Sequence, residues 1–263
     1  MSRAALNHRR TSATLRSVLR EIRDHVFSMD FFARKLRDWG LCETAVSAIL
    51  GVMKPARAIR VGGIIRTRGS QSSFTHVMVD GWAARCEDVA FGDRQITNFL
   101  LPGDFCDLHQ DAIGPIDHDI VALTPASVAS IPSDELVRLE GEHPDIARAM
   151  WRASLTESAI FRAWIANLGQ RESDARVAHL LCELHMRLQL AGLVGDHTFR
   201  MPLTQQELSQ ALGITAIHMN RMVQRLRAMK LIHLEHRMLS LLDVERLRAL
   251  AGFEPDYLHL CAS

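Results

Sequence analysis

Apolar positions between 56 and 131 fall in short, half-alternating runs that are separated by glycine-containing turns. Several short strands at such intervals predict an antiparallel barrel or jelly-roll-like domain. No alternation of strands with long helices occurs there, so a parallel sheet is not predicted. The clearest strands and turns are His76–Val79, Asp80-Gly81, Trp82–Cys86, Gly92-Asp93, Gln95–Leu100 and Pro102-Gly103-Asp104.

Beyond Ser133 the apolar spacing becomes helical. Ser133–Glu140 predicts a short helix, and Asp145–Leu168 predicts one long helix that ends at Gly169. A helix of this length in a protein of this size needs a partner for its second apolar side, and a second copy of the same helix is the simplest one. The alternative is that the helix packs only on its own β domain.

The stretch Thr204–Met229 predicts two short helices joined by a tight turn. Thr204 and Glu207 have the spacing of a capping box, which satisfies free N–H groups at a helix start. Gly213 suits the left-handed end of that helix, and Thr215 suits the cap of the next one. This helix-turn-helix is the shape that places one helix in the major groove of DNA.

The second of these helices has an apolar face and a polar face. Its predicted buried stripe consists of Met219, Met222, Val223, Leu226 and Met229. Two short strands, Leu231–Leu234 and Leu239–Leu242, should follow as a wing with Glu235–Met238 at its tip.

Arginine, asparagine and glutamine on the polar face suit base recognition. Arginine can bridge both acceptors of guanine, and asparagine or glutamine can do the same for adenine. The alternative is a small helical domain with an ordinary solvated basic face. The predicted DNA-binding residues are Thr204, Gln205, Thr215, Ile217, His218, Asn220, Arg221, Gln224 and Arg225.

Positive charge is concentrated in the same region. From Arg200 to Arg237 there are six basic and two acidic residues, a net charge of +4, whereas the whole chain has +1. This concentration favours DNA as a partner.

Composition narrows the other possibilities. No run approaches the roughly 18 apolar residues of a membrane span, and no signal peptide follows Met1. The 5 cysteines contain no C-x-x-C pair, which disfavours a disulfide framework. A cytoplasmic protein without a membrane partner is therefore predicted. The Arg-rich segment 1–28 is interpreted as a poorly ordered arm or a loosely docked helix, with a DNA-touching arm or a transit-like sequence as alternatives.

Four motifs occur in the order β domain, long helix and helix-turn-helix. They are Gly81-Trp82-Ala83, Asp93–Ile96, Asn98–Phe105 and Leu212–Thr215 leading into Asn220-Arg221. This arrangement resembles the CRP/FNR family of bacterial transcription regulators from about Met29 to Ala251. The resemblance implies an α+β fold with an N-terminal antiparallel β-roll (cupin/jelly-roll-like), and a homodimer that binds a palindromic DNA site and contacts RNA polymerase.

The resemblance also divides the chain. The predicted parts are an N-terminal arm (1–28), a sensor-like β-roll (29–143), a long dimerisation helix (144–169), a winged helix-turn-helix (170–252) and a tail (253–263). No nucleophile–base pair or phosphate loop is found, so no catalytic residue is predicted and the chain is not expected to be an enzyme.

Two departures from the family bear on cofactors. The cAMP-binding members carry a Gly-Glu pair after the GDF segment and an Arg-Ser pair further on, where this chain has Asp107-Leu108 and His118-Asp119. An aspartate repels a phosphate, and the clamping arginine is missing. The oxygen-sensing members use an N-terminal cysteine cluster, whereas Cys42, Cys86 and Cys106 are far apart. Neither cAMP nor an iron–sulfur cluster is expected, and no cofactor or metal is predicted.

A third departure concerns base reading. Many members read a G·C pair with a glutamate on the recognition helix, and alignment on Arg221 places Ile217 there. Isoleucine cannot accept a hydrogen bond from cytosine, but it can contact a thymine methyl group. We therefore expect a half-site that differs at this base pair.

Two other groups of residues could bind a metal or sense redox state. Cys106, Asp107 and His109, with Asp111, Asp117, His118 and Asp119 nearby, contain metal-ligand types. A loop rich in aspartate and histidine is more often simply solvated, and this is the preferred interpretation. A sensor whose β-roll binds a small molecule, metal or redox signal is kept as the alternative function. His179, Cys182 and His185 are interpreted as structural, because their helical spacing points the two histidines apart.

Overall fold

The computed structural model describes residues 31–89 and 94–259. The predicted arm 1–28 and the turn at Gly92-Asp93 lie outside these residues. The helices are α1 (residues 31–38), α2 (Glu43–Val52), α3 (Ser133–Glu142), α4 (Pro144–Gln170), α5 (Ser173–Leu190), α6 (Gln205–Leu212), α7 (Ala216–Ala228) and α8 (Val244–Ala251). The strands are β1 (Lys54–Ile59), β2 (Ile64–Arg66), β3 (Phe74–Asp80), β4 (Ala83–Asp88), β5 (Arg94–Leu100), β6 (Asp119–Ala122), β7 (Ala126–Pro132), β8 (Val194–Gly195), β9 (Thr198–Arg200), β10 (Ile232–Glu235) and β11 (Met238–Leu241).

Two antiparallel sheets form the β-roll. Their strand orders are β1-β7-β3 and β2-β6-β4-β5, and all pairings are antiparallel. The strands predicted in the central part of this domain correspond to β3, β4 and β5, with ends shifted by one or two residues. The predicted fold class is confirmed.

The turn between β3 and β4 requires glycine. Gly81 has a φ of +81°, and a Cβ there would lie 2.4 Å from the carbonyl oxygen of Pro125 and 2.7 Å from Cα of Ala126. Both atoms belong to the backbone, so a side chain could not be accommodated by a rotamer change. The turn leads to Trp82, directly before β4, and the backbone N–H of Trp82 donates to Oγ1 of Thr124 at 2.8 Å.

The long helix α4 extends beyond its predicted end. Gly169 was expected to end it, but it keeps a negative φ inside the last turn, and the helix continues to Gln170. The end comes at Arg171, whose N–H donates to the carbonyl of Asn167. Glycine permits a helix stop but does not impose one. Within the described part of the chain, no helix is both long enough and apolar enough to cross a bilayer.

The C-terminal domain packs α5 to α8 against a four-stranded sheet of order β10-β11-β9-β8. The hairpin β8–β9 was not predicted, because strands of two and three residues give too few positions for an alternating pattern. It pairs with the wing through β9 and β11, and thereby completes the sheet.

One apolar core joins this domain to the β-roll. Phe99 of β5 contacts Trp82 and Trp164 edge-on, with ring centroids 6.3 and 5.7 Å apart. Both tryptophans are buried. The same core continues into the helix-turn-helix. At the edge of this core, Nε2 of Gln95 in β5 donates to the carbonyl of Ala211 in α6 at 3.4 Å. The helix-turn-helix therefore contacts the roll directly.

Candidate nucleic-acid interface

The first helix of the pair, α6, has the predicted capping box. The N–H of Glu207 donates to Oγ1 of Thr204 at 3.1 Å, and the N–H of Thr204 donates to Oε2 of Glu207 at 2.6 Å. Gly213 ends the helix with a left-handed φ of 61°. The turn geometry therefore follows from local chemistry, as the sequence predicted.

The second helix, α7, is positioned by its cap and its buried stripe. Oγ1 of Thr215 accepts from the N–H of His218 at 3.2 Å. Met219, Val223 and Leu226 are buried as predicted, whereas Met222 is only half-buried. Met229 was wrongly placed in the stripe, since it follows the helix end at Ala228 and is exposed.

The outward face of α7 presents the predicted base-reading residues. Ile217, Asn220, Arg221 and Gln224 are all exposed, and Ile217 has 74% of its surface accessible. Within residues 31–89 and 94–259, the side chains of Asn220 and Arg221 have no hydrogen-bond or ion-pair partner. Their donors and acceptors are therefore available to a ligand, and together they match the bidentate requirements of guanine and adenine.

Other predicted contact residues are already engaged within the protein. The hydroxyls of Thr204 and Thr215 serve as helix caps. Nη2 of Arg225 lies 3.3 Å from Oδ2 of Asp174 at the start of α5. Gln205 and His218 are half-buried. Only part of the predicted set therefore has free polar groups.

Two residues that position side chains and backbone of the helix-turn-helix were not identified from the sequence. Asp174 fixes Arg225, and Nη1 of Arg176 donates to the carbonyl of Leu212 at 3.1 Å, which satisfies the end of α6. Both lie on α5, more than thirty positions before their partners. No local pattern signals such long-range pairs.

The wing extends the basic surface. Strands β10 and β11 pair from Ile232–Leu241 to Glu235–Met238, one residue away from the predicted positions. The tip is a two-residue turn at His236 and Arg237, both with positive φ, which is the twist that a tight hairpin requires. Both tip side chains are exposed. They suit contacts to phosphate rather than to bases.

The candidate metal or redox cluster is not assembled. Asp107 pairs with Arg66, His109 lies 3.5 Å from Glu140, and His118 lies 2.7 Å from Asp117. Burial raises the pKa of the Cys106 thiol well above its usual value. Among the residues that the structure describes, no three His, Cys, Asp or Glu side chains are grouped for a metal ion.

The histidines of α5 are buried in different surroundings. His179 stacks on Tyr257 with centroids 5.9 Å apart, and His185 faces His197 across 3.3 Å. Burial, with a smaller effect of the neighbouring Arg171, lowers the pKa of His179 to about 4. Burial also lowers the pKa of His185 to about 4, with a smaller effect of the neighbouring His197. These histidines are therefore neutral at physiological pH.

Comparison with known proteins supports the assignment of this domain. Residues 175–250 match the family described as the Crp-like helix-turn-helix domain. The nitrogen fixation regulation protein FixK of Bradyrhizobium diazoefficiens is 31% identical over 163 residues, which cover 61% of this chain and 67% of that protein. The transcriptional activator protein FnrL of Cereibacter sphaeroides is 26% identical over 219 residues, covering 82% and 88%.

The fold is shared with solved structures. The structure of FixK2 from Bradyrhizobium japonicum matches with a TM-score of 0.68 at 22% identity, over 76% of this chain and 98% of that one. A CRP-family transcriptional regulator from Thermus thermophilus, TTHB099, matches with a TM-score of 0.60 at 21% identity, over 75% and 97%. The relatives are transcription regulators, in agreement with the prediction that the chain is not an enzyme. The chain belongs to the CRP/FNR family of transcription regulators, and its C-terminal domain is the DNA-binding helix-turn-helix of that family.

Proposed function

We propose that the protein is a sequence-specific transcriptional activator that acts in the cytoplasm, binds a palindromic promoter site as a homodimer and contacts RNA polymerase. The observation that carries the proposal is the outward face of α7, where Asn220 and Arg221 are exposed and have no partner within the described residues. The name of FnrL, a transcriptional activator protein, supports activation as the direction of regulation.

A second copy of the chain fits the outer face of α4. Trp151, Leu155 and Ile165 are 65%, 59% and 70% exposed. Together with Ser158 and Arg162, which are also exposed, they recur at alternating steps of four and three residues. This spacing is typical of the contact seam of a two-stranded coiled coil. In a monomer these three large apolar side chains would stay exposed to water on one helix face, which is unfavourable.

Such a dimer would place its two α7 helices about a two-fold axis. Two half-sites separated by one turn of DNA, roughly 34–36 Å, would then be read symmetrically. The exposed position of Ile217 at the start of α7 supports a half-site with a thymine methyl group where glutamate-bearing members read a G·C pair.

We propose that neither a cyclic nucleotide nor an iron–sulfur cluster controls DNA binding. Asp107, at a position that would face the ligand in cAMP-binding members, is buried and paired internally with Arg66 and His76. Cys86 and Cys106 lie in separate parts of the core. Burial raises the pKa of the Cys86 thiol to about 11, which disfavours the thiolate that an iron–sulfur cluster requires.

In vitro selection of DNA sites with the purified protein tests the central proposal. We expect a palindrome whose half-sites differ from the glutamate-type sequence at the pair facing Ile217. Arg221→Ala should weaken binding to the selected site by about 1–3 kcal/mol. Arg246→Ala, which removes an exposed arginine from α8 of the same domain, should leave it unchanged. Failure of the unaltered protein to bind any DNA at low salt would refute the proposal.

Light scattering tests the dimer independently of DNA. Leu155→Glu places a charge in the proposed seam and should produce a monomer, because like charges from both copies would meet there. Val137→Glu is the matched control on α3, since Val137 is similarly exposed but lies on another surface. A monomeric parent protein, or a dimeric Leu155→Glu variant, would contradict this arrangement.

A further inference from the structure

The segment that follows α8, residues 253–259, connects the DNA-binding domain to the long helix α4. Its 3₁₀ turn, Pro255–Leu258, packs on α4, whereas its first residue packs on α5. The family match ends before this segment, at residue 250, and none of the predicted DNA-binding residues lies in it. Its contacts therefore point to a role other than direct contact with bases.

Aromatic contacts and one buried hydrogen bond fasten the segment to α5. Phe253 meets the ring of His179 edge-on with centroids 5.2 Å apart, and Tyr257 stacks on the same ring at 5.9 Å. The hydroxyl of Tyr257 donates to Oε2 of Glu183 at 2.7 Å. Burial raises the pKa of Tyr257, with a smaller effect of the neighbouring Glu183, so the hydroxyl stays protonated and remains a donor. The segment is therefore part of the packed domain.

Two bonds at distant points of α4 hold that helix against the same assembly. The buried carboxylate of Glu183 accepts from Nε1 of Trp164, which lies 3.1 Å from both of its oxygens. Nearer the start of α4, Nη2 of Arg152 donates to the carbonyl oxygen of His259 at 2.7 Å. Arg152 precedes Trp164 by twelve residues, which corresponds to about 18 Å of helix. The DNA-binding domain is therefore attached to α4 at two well-separated points.

The link between α4 and the DNA-binding domain is short and non-helical. Only Arg171 and Glu172 separate α4 from α5, and residues at helix ends are where hinges form. A bond far from a hinge limits bending more than a bond near it, because the same rotation displaces the distant point further. Arg152 lies much farther from the link than Trp164 does. The bond between Arg152 and His259 is therefore the better placed of the two to fix the angle at this link.

We propose that Arg152 and Tyr257 are positioning residues for DNA binding. Through residues 253–259 they fix the angle between α4 and the DNA-binding domain, and this angle sets the separation of the two α7 helices in the dimer. The inference rests on the proposed function, because it needs a dimer that binds a palindromic site. A fixed separation of the helices demands a fixed spacing of the half-sites, since one added base pair moves the second half-site by about 3.4 Å and rotates it by about a tenth of a turn.

Binding to palindromes of altered spacing tests this role. Fluorescence anisotropy compares the selected site with versions that carry one or two additional base pairs between the half-sites. We expect the unaltered protein to prefer the selected spacing by about tenfold or more, and a double variant, Arg152→Ala with Tyr257→Phe, to prefer it by about threefold or less. A change that only destabilised the fold would reduce binding to all three probes by the same factor, so the preference would not change.

Single variants separate the two attachments. Tyr257→Phe keeps the aromatic ring and removes only the hydroxyl, so it should lower the spacing preference part of the way. Arg152→Lys keeps a hydrogen-bond donor and should retain most of the preference that Arg152→Ala loses. Arg138→Ala is the matched control, because the bonds of Arg138 stay within α3, and it should leave the preference unchanged.

The outcomes distinguish this inference from the DNA-binding proposal. An unchanged spacing preference in the double variant, or an equal loss in Arg138→Ala, would overturn the inference while the unaltered protein still bound its palindrome. Failure of the unaltered protein to bind any palindrome would refute both. Light scattering of the double variant should give a dimer, and a monomer would show that these residues act on dimerisation instead, which also contradicts the inference.

Discussion

In the β-roll, the buried Asp107 pairs with the buried Arg66 and His76. On α7, by contrast, Asn220 and Arg221 extend into solvent without partners among the described residues. Both regions contain polar groups that could bind a ligand. In the roll these groups are satisfied internally, and on α7 they are left free. The comparison shows that the type of residue does not identify a binding surface, whereas unsatisfied and accessible donors do.

The two regions should therefore respond differently to mutation. Removing a buried charged partner leaves the other charge uncompensated and costs stability. Removing an exposed, unpartnered side chain changes stability little and alters recognition instead.

The largest effect of a single substitution is expected for Asp107→Ala. It leaves the Arg66 guanidinium buried without its carboxylate and removes the acceptor for the N–H of His76, which lies 2.6 Å away. The free energy of unfolding should fall by about 3–5 kcal/mol. Urea denaturation followed by circular dichroism measures it.

Asp117→Ala is the matched control for this change. Asp117 also contacts a histidine, His118, at 2.7 Å, but its side chain is exposed. Its loss should change stability by less than about 1 kcal/mol. Equal effects of the two substitutions would show that burial of the Asp107 cluster does not matter.

The second prediction concerns acid. The pKa of His179 and of His185 is lowered to about 4 in the folded domain, so below about pH 6.5 the unfolded chain binds protons that the folded one does not. Stability from these histidines is present above pH 6.5 and is lost as pH falls toward 4. Complete loss should cost about 3 kcal/mol per histidine.

The β-roll has its corresponding carboxylate in a lower pH range. Burial opposes ionisation of Asp104, but Lys35 and Arg187 hold the pKa of this carboxyl at about 2. Its contribution is present above about pH 4 and is lost only as pH falls toward 2. Amide hydrogen exchange should therefore be measured by NMR from pH 7 to pH 3. As the pH falls, amides of the C-terminal domain should lose protection from exchange at a higher pH than amides of the roll. Loss of protection in both domains at the same pH would contradict this prediction.

Local and long-range features were predicted from the sequence with unequal success. The capping box at Thr204, the stop at Gly213 and the cap at Thr215 each depend on residues within four positions, so spacing alone was sufficient. The pairing of Arg225 with Asp174 depends on the packing of α5, which no local pattern records.

Dependence on distant residues or on the local backbone conformation also explains where the sequence-based predictions were wrong or incomplete. Gly169 resembled a helix stop, but no left-handed conformation is required there, and α4 continues past it. Asp107 was predicted from its charge to disfavour a phosphate, but its partner Arg66 lies 41 positions away in β2 and could not be identified. A base-reading face needs only one helix, whereas a buried charge cluster needs the whole roll.

The third prediction concerns the turn that aims α7. Gly213→Ala places a Cβ in the left-handed region and should cost about 1–2 kcal/mol of stability. Gly141→Ala is the control, because Gly141 lies within helix α3 with open space around its Cα, and alanine there should stabilise by roughly 0.5–1 kcal/mol. Thermal melting distinguishes the two signs.

The smallest effect is expected for Thr204→Ala, which removes the cap of α6 and should cost about 1 kcal/mol. Thr204→Ser should restore most of it, because serine keeps the hydroxyl that accepts from Glu207. DNA binding of the same pair separates two roles. If Thr204 acts only as a cap, affinity should follow stability and recover with serine, whereas an additional contact of its methyl group with DNA would leave the serine variant stable but weak in binding. Because the cap uses the hydroxyl and leaves the methyl group free, only this second outcome would make Thr204 part of the reading surface.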